Sequence, residues 1–319
     1  LYFIADDGTN GTELWKSNGN TAGTVMIKDI EPGPAAGGIE WITNVSGTVF
    51  FTAQTTSNGR ALWKSDGTAN GTVLVNPARL DSATSMGELF SNAGILYFSF
   101  EGPGSTIGTE PWKTDGTVNG TALIKDVITS TEASDPADFC TVGSTVYFTA
   151  NDGTRGRELW KTDGTSAGTT IVMDIIAGSG SSNPEQLTAV NSNLYFVAQT
   201  ASGKELWRTK GTVLGTAQGK DINPGAAGSD PLALTNLNGI LYFSANDGSN
   251  GRELWKSNGS SAGTVLVKDI VSGSASGLPD KLFALGTTLY FAAANGTVSA
   301  RDDEERRKAD GTAAGGVKV

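Results

Sequence analysis

The sequence predicts an all-β fold, a β-propeller of four-stranded antiparallel blades, from three patterns that share one register. Tryptophan recurs at Trp15, Trp63, Trp112, Trp160, Trp207 and Trp255, with gaps of 48, 49, 48, 47 and 48 residues. An aromatic pair recurs seven times, at Tyr2-Phe3, Phe50-Phe51, Tyr97-Phe98, Tyr147-Phe148, Tyr195-Phe196, Tyr242-Phe243 and Tyr290-Phe291. Gly-Thr falls eight residues after each of those tryptophans, from Gly23-Thr24 to Gly263-Thr264. Such a period is that of a propeller blade.

The repeat from Leu232 to Ile270 displays the elements in order. Leu232 to Leu237 leads to the turn Asn238-Gly239. Ile240 to Ala245 leads to Asn246-Asp247-Gly248. Arg252 to Ser257 leads to Asn258-Gly259, and Thr264 to Ile270 closes the unit. Each segment is short, rich in β-branched or aromatic residues, and bounded by turn formers, so each repeat reads as four antiparallel strands, A to D. A four-stranded sheet with two apolar faces buries both only by stacking on its neighbours. A 48-residue unit is too small to hold a separate core.

Seven aromatic B strands predict seven blades in one propeller domain spanning 1–319. The first blade lacks a strand A of its own. The last repeat, 281–319, is degenerate. Lys281 to Leu285 reads as A and Leu289 to Phe291 as B. Ser299 to Lys308 is charged and has no tryptophan, so strand C is missing or degenerate there. Asp310-Gly311-Thr312 and Val317-Lys318-Val319 still resemble the turn and strand D. Six blades are the alternative, with the Leu282 strand serving as inner strand of the first blade and the tail outside the ring.

Composition narrows the function classes. With 43 glycines the chain reverses often. The net charge is −10 and no Lys/Arg stripe appears, which makes nucleic acid and anionic membrane poor partners. There is no histidine, hence no Ser-His or Cys-His nucleophile and no imidazole ligand. The single cysteine, Cys140, reads as a strand residue. No apolar run is long enough to span a membrane. The sequence starts inside a repeat, as expected of a mature or trimmed piece of something longer.

The segment Glu158-Leu159-Trp160-Lys161-Thr162-Asp163-Gly164-Thr165 resembles the ELWxxDGT repeat family. The match is good at Glu13, Glu205 and Glu253, and partial at Ala61-Leu62-Trp63 and Glu110-Pro111-Trp112. The Asp-Gly-Thr turn departs at Asn18-Gly19-Asn20, Lys210-Gly211-Thr212 and Asn258-Gly259-Ser260. The repeat covers nearly the whole chain. The resemblance implies a large secreted or surface-attached bacterial protein, and it carries no catalytic activity or functional residues with it.

The six tryptophans read as structural wedges between blades, with sugar-stacking platforms as the alternative. Asp66, Asp115 and Asp163 read as turn residues bonding nearby backbone amides. Their replacement by Asn18, Asn258 and Lys210 argues against ligation. Strand alternation puts the B–C and D–A loops on one face, which collects Asp6, Asp7, Asp152 and Asp247 with Asp29, Asp126, Asp174, Asp221 and Asp269. Carboxylates in Gly-rich loops suit calcium, so Asp152, Asp174, Asp247, Asp269, Asp7 and Asp29 are candidate ligands. No other cofactor is expected. No contiguous Asp-x-Asp-x-Asp-Gly run exists, and solvated turn aspartates are the plainer reading.

The acids recur with the repeat and form no singular constellation, which argues against an enzyme. The sequence therefore predicts a non-catalytic extracellular or cell-surface module for adhesion or assembly, in a bacterium. Its partners would be another surface protein, an extracellular glycan, or further domains or copies of a larger assembly. A carbohydrate-binding, lectin-like propeller is the alternative, and a glycoside hydrolase comes third.

Overall fold

The structure, a computed structural model, describes residues 1–75, 85–101, 104 and 106–294, and the backbone of the strands at 305–309 and 317–318. Among the described residues the chain forms seven antiparallel sheets, six of four strands and one of three, and a single 3₁₀ turn at Val213–Gly215. The fold is a seven-bladed β-propeller.

The first sheet has β1 (Tyr2–Asp6), β2 (Thr12–Lys16) and β3 (Val25–Lys28). The second has β4 (Glu40–Val45), β5 (Thr48–Thr55), β6 (Gly59–Ser65) and β7 (Val73–Leu74). The third has β8 (Ser85–Asn92), β9 (Ile95–Glu101), β10 (Glu110–Thr114) and β11 (Ala122–Leu123). The fourth has β12 (Ala137–Val142), β13 (Thr145–Asn151), β14 (Arg157–Thr162) and β15 (Thr170–Met173). The fifth has β16 (Glu185–Val190), β17 (Asn193–Thr200), β18 (Gly203–Thr209) and β19 (Ala217–Gln218). The sixth has β20 (Leu232–Leu237), β21 (Ile240–Asn246), β22 (Arg252–Ser257) and β23 (Val265–Lys268). The seventh has β24 (Asp280–Leu285), β25 (Thr288–Ala293), β26 (Glu305–Ala309) and β27 (Val317–Lys318).

Two alternatives that the sequence left open for the last repeat are decided. Its strand C is present as Glu305–Ala309, with Phe291 opposite Arg307 just as Phe243 stands opposite Trp255. The Leu282 strand pairs with β25 of its own sheet, so it does not complete the first one. Asp310-Gly311-Thr312 lies outside the described residues.

Contacts divide the chain into two compact units. One holds Leu1–Phe139 with Ala150–Gly153 and Thr162–Thr169. The other holds Cys140–Thr149, Thr154–Lys161 and Thr170–Val319. In the first unit, Trp63 packs with Leu14, Ile27 and Ile30 of the preceding sheet, and Trp112 with Phe50, Leu62 and Val75. In the second, Trp207 packs with Tyr147, Leu159 and Val172, and Trp255 with Tyr195, Leu206 and Ile222. Each such indole fills the space between two sheets, where burial of a large aromatic returns most.

Lysines add directional bonds between sheets. In the first unit, Nζ of Lys16 donates to the Gly67 carbonyl, Lys28 to Thr72, Lys64 to Gly116 and Lys125 to Thr169. In the second, Lys161 donates to Gly211 and Lys220 to Thr264. Lys28 and Lys220 also lie over the rings of Trp63 and Trp255, at 5.7 and 5.5 Å. The recurrent Gly-Thr has its own cause. Its threonine hydroxyl bonds the hydroxyl two residues past the tryptophan, as in Thr114–Thr121 and Ser257–Thr264, both at 2.7 Å.

The A strands lie side by side within each unit, β4 beside β8, and β16, β20 and β24 in a row. Each carries a bulge near its start. There Trp41, Gln186, Ala233 and Lys281 take positive φ, between 52° and 56°, the left-handed backbone that the extra residue of a bulge adopts.

Candidate functional site

Strand C presents its glutamate inward. Glu13, Glu110, Glu158, Glu205 and Glu253 are all completely buried. A buried carboxylate must be given donors, and the chain supplies them from the connection between strand D and the next strand A. The N–H groups of Ile30 and Glu31 donate to Glu13. Glu110 accepts from the Val127 and Ser134 N–H groups and the Ser134 hydroxyl. Glu158 accepts from Ile175 and Ser182 in the same way. Glu205 accepts from Ile222, Asn223 and Ser229. Glu253 accepts from Ile270 at 2.8 Å and Gly277 at 2.6 Å. Burial pushes all five carboxyls above the usual range despite these donors, Glu253 to about 7, with Asp269 adding a smaller rise there. The glutamates thus pin the D–A connections. Sequence reasoning passed them over, although a legible signal exists. Gly37, Ser134, Ser182, Ser229 and Gly277 stand 24 residues beyond them. In the second sheet the buried Ala61 occupies the position.

The candidate calcium ligands fall into two groups. Asp7 accepts from the N–H groups of Thr9 and Asn10 and from the Asn10 side chain, and the Asn10 and Thr9 amides hold its carboxyl below the usual range. Asp247 makes the same turn with Ser249 and Asn250. Burial pushes its carboxyl up, but those donors together outweigh the rise and hold it low. Both oxygens of each are therefore spent on the turn. Asp152 stands at the corresponding place in the fourth sheet. Asp29, Asp174 and Asp269 each accept with Oδ2 from the glycine four residues on, Gly33, Gly178 and Gly273. Their Oδ1 atoms, like that of Asp126, are buried without a hydrogen-bond partner. Among the described residues no three acidic or thiol side chains gather into a metal-holding group.

Trp63, Trp112, Trp160, Trp207 and Trp255 are buried, and Trp15 is half-buried. The indole N–H groups of Trp15, Trp63, Trp160, Trp207 and Trp255 have no acceptor, so these rings act by packing. A sugar has no face of the buried five to stack on. Asp66, Asp115 and Asp163 each accept from the N–H and hydroxyl of the threonine two residues on, and Asn258 does the same with Ser260. The seventh tryptophan, Trp41, lies off the repeat register on β4 and is 47% exposed.

One face of the first sheet carries a depression of about 540 Å³, lined among others by Leu1, Tyr2, Lys16, Asn18 and Val25. Among the described residues the first sheet has three strands, β1 to β3. In the other six, a strand A covers strand B. Ile4 of β1 is 40% exposed where its counterparts Thr52, Val197 and Ser244 are fully buried. Among the described residues no helix is long and apolar enough to cross a membrane.

No protein-family profile matches the chain, and no curated protein matches it. Solved structures do. A prolyl endopeptidase from a study of inter-domain dynamics in catalysis and specificity superposes with a TM-score of 0.55 at 12% identity, over 86% of this chain and 42% of its own. A puromycin hydrolase matches at 0.51 and 13%, over 100% and 52%. A puromycin-hydrolysing peptidase of Mycobacterium tuberculosis matches at 0.50 and 11%, over 98% and 52%. The parts matched are β-propeller domains of peptidases. This chain spans about half the length of those proteins.

These likenesses correct the expectation of an adhesion or surface-assembly module. Propellers built like this one stand inside peptidases. The sequence pointed elsewhere because the repeat motif records how sheets pack on one another, and that packing is common to propellers of unlike employment.

Proposed function

We propose that this chain is the propeller part of a peptide-hydrolysing protein, in which the nucleophile and its base belong to a separate catalytic domain. The observation that carries this reading is the coverage. A propeller matching 86 to 100% of this chain fills only 42 to 52% of each peptidase. Two features of the chain agree with it. It contains no histidine, and its buried carboxylates are committed to backbone amides. On this reading the propeller contributes through its motion and docking against the catalytic domain.

An antibody raised against the 319-residue chain and used on cells of its source tests this. The immunoprecipitate is expected to contain a polypeptide or complex roughly twice this length, and to hydrolyse prolyl peptides or puromycin. A precipitate without hydrolase activity on either substrate overturns the proposal.

A further inference from the structure

One position of strand A does not follow the repeat. Nine residues before the first aromatic of each B-strand pair stands Trp41, Glu88, Asp138, Gln186, Ala233 or Lys281. One residue further on stands Ile42, Leu89, Phe139, Leu187, Leu234 or Leu282, always large and apolar. The second position keeps one chemistry because it packs. The first lies at the bulge, where the left-handed backbone of Trp41 and Asp138, at φ 56° and 55°, turns the side chain out of the strand's alternation. Its side chains are released from the packing that the repeat serves.

Three of these positions belong to the first compact unit and stand on neighbouring strands. β4 lies beside β8, and the Thr43 hydroxyl donates to the Leu89 carbonyl at 3.2 Å. From β8 the ring of Phe90 stacks on Phe139 of β12 at 6.1 Å. Trp41, Glu88 and Asp138 therefore form a row. Trp41 is the exposed tryptophan of the seven, and among the described residues no ring and no cation of this chain lies against its indole. Glu88 is half-buried, and among the described residues no donor and no cation meets its carboxyl. Burial, and then the Asp138 carboxylate, push that carboxyl above the usual range.

We propose that this row binds an arginine side chain of another polypeptide, with the guanidinium stacked on Trp41 and donating to Glu88 and Asp138. The planar guanidinium lies flat on an aromatic face while its edge gives N–H groups to carboxylates. It is more weakly hydrated than an ammonium, so it enters the half-buried side of Glu88 at lower cost. A hard metal ion fits worse, since it wants about six to eight oxygen ligands, and among the described residues no three acidic or thiol side chains gather. The site goes beyond the peptidase reading and does not depend on it.

The probe is the capped peptide Gly-Gly-Arg-Gly-Gly, titrated into the 319-residue protein at fixed ionic strength. Saturable binding is expected, with a shift of the Trp41 indole N–H resonance, which Trp41→Phe identifies. The same peptide with citrulline, a neutral isostere of arginine, should not bind, and the lysine peptide should bind at least about fivefold more weakly. Trp41→Ala should weaken binding about fivefold and Glu88→Gln about tenfold, with melting temperatures near the parent's because neither side chain is buried in the core. Asp221→Asn removes an exposed carboxylate of the second unit and should bind as the parent does. The proposal is overturned by an absence of saturable binding, by citrulline or lysine peptides that bind as tightly as the arginine peptide, by binding that Trp41→Ala and Glu88→Gln leave intact, or by an equal loss in Asp221→Asn, which marks attraction to the net charge alone.

Discussion

Replacing Glu253 by glutamine separates what its burial costs from what its hydrogen bonds contribute. The carboxyl is fully buried and takes two backbone N–H groups, from Ile270 and Gly277. Its folded pKa is about 7 against an ordinary 4.5. Because the folded value is raised, the group's stabilising contribution is complete below pH 4.5 and is lost as pH rises through 7. Converted in full, that shift is about 3 kcal/mol, and relaxation of the surroundings around the ionised carboxylate reduces it to ~1–2 kcal/mol. Glutamine does not titrate, and its NH₂ confronts a backbone N–H where the second carboxyl oxygen stood. One unsatisfied donor costs about 1–3 kcal/mol. Urea unfolding of parent and Glu253→Gln at pH 5 and pH 8, at fixed ionic strength, should show a penalty of about 1–3 kcal/mol at pH 5 that shrinks by ~1–2 kcal/mol at pH 8. A penalty equal at both pH values, or larger at pH 8, refutes the reasoning, since it means that the buried carboxylate is held as comfortably as its acid.

Three further outcomes are expected. Trp255→Ala should lower unfolding stability by about 3–5 kcal/mol, whereas Trp255→Phe should cost only about 1 kcal/mol, because the indole N–H has no acceptor to lose; calorimetry of both variants decides it. Asp163→Asn should melt like the parent and Asp163→Ala below it, since Asn258 already makes the same turn; the Asp163 carboxyl is held low by the Thr165 hydroxyl and amide, so the gap should close as pH falls below the usual carboxylate range. Any rise in melting temperature in calcium over sodium chloride of equal ionic strength should shrink in Asp269→Asn and stay whole in Asp247→Asn, because Asp269, like Asp29 and Asp174, keeps an oxygen without a partner while both oxygens of Asp247 accept hydrogen bonds; the opposite pattern refutes this placement.

The repeat was legible because each marker has a packing cause. Tryptophan fills the gap between sheets, the B-strand pair buries on both faces, and the threonine closes the C–D turn. The strand-C glutamates were not read, because an acid beside Leu-Trp looks like the polar alternate of a strand, and only its partners 17 and 24 residues on reveal it as buried. Strand C of the last sheet read as missing or degenerate because Arg307 stands where tryptophan is expected, although its spacing from Asp310-Gly311-Thr312 keeps the register. Trp41 went unnoticed for the converse reason, since a tryptophan off the period looks incidental until the bulge exposes it. Employment was illegible throughout. Repetition encodes what every sheet needs, and a domain's task resides in what is not repeated.

The lysine bonds described above all point one way along the chain, from an earlier sheet to the next, and none spans more than 52 residues. Contacts of that kind allow assembly in sequence order. A sheet leaving the ribosome meets a neighbour whose ammonium groups are already in place, and it closes contacts of short sequence separation before later sheets exist. The molecule can grow as a row of courses laid in order, each finished course keying the next.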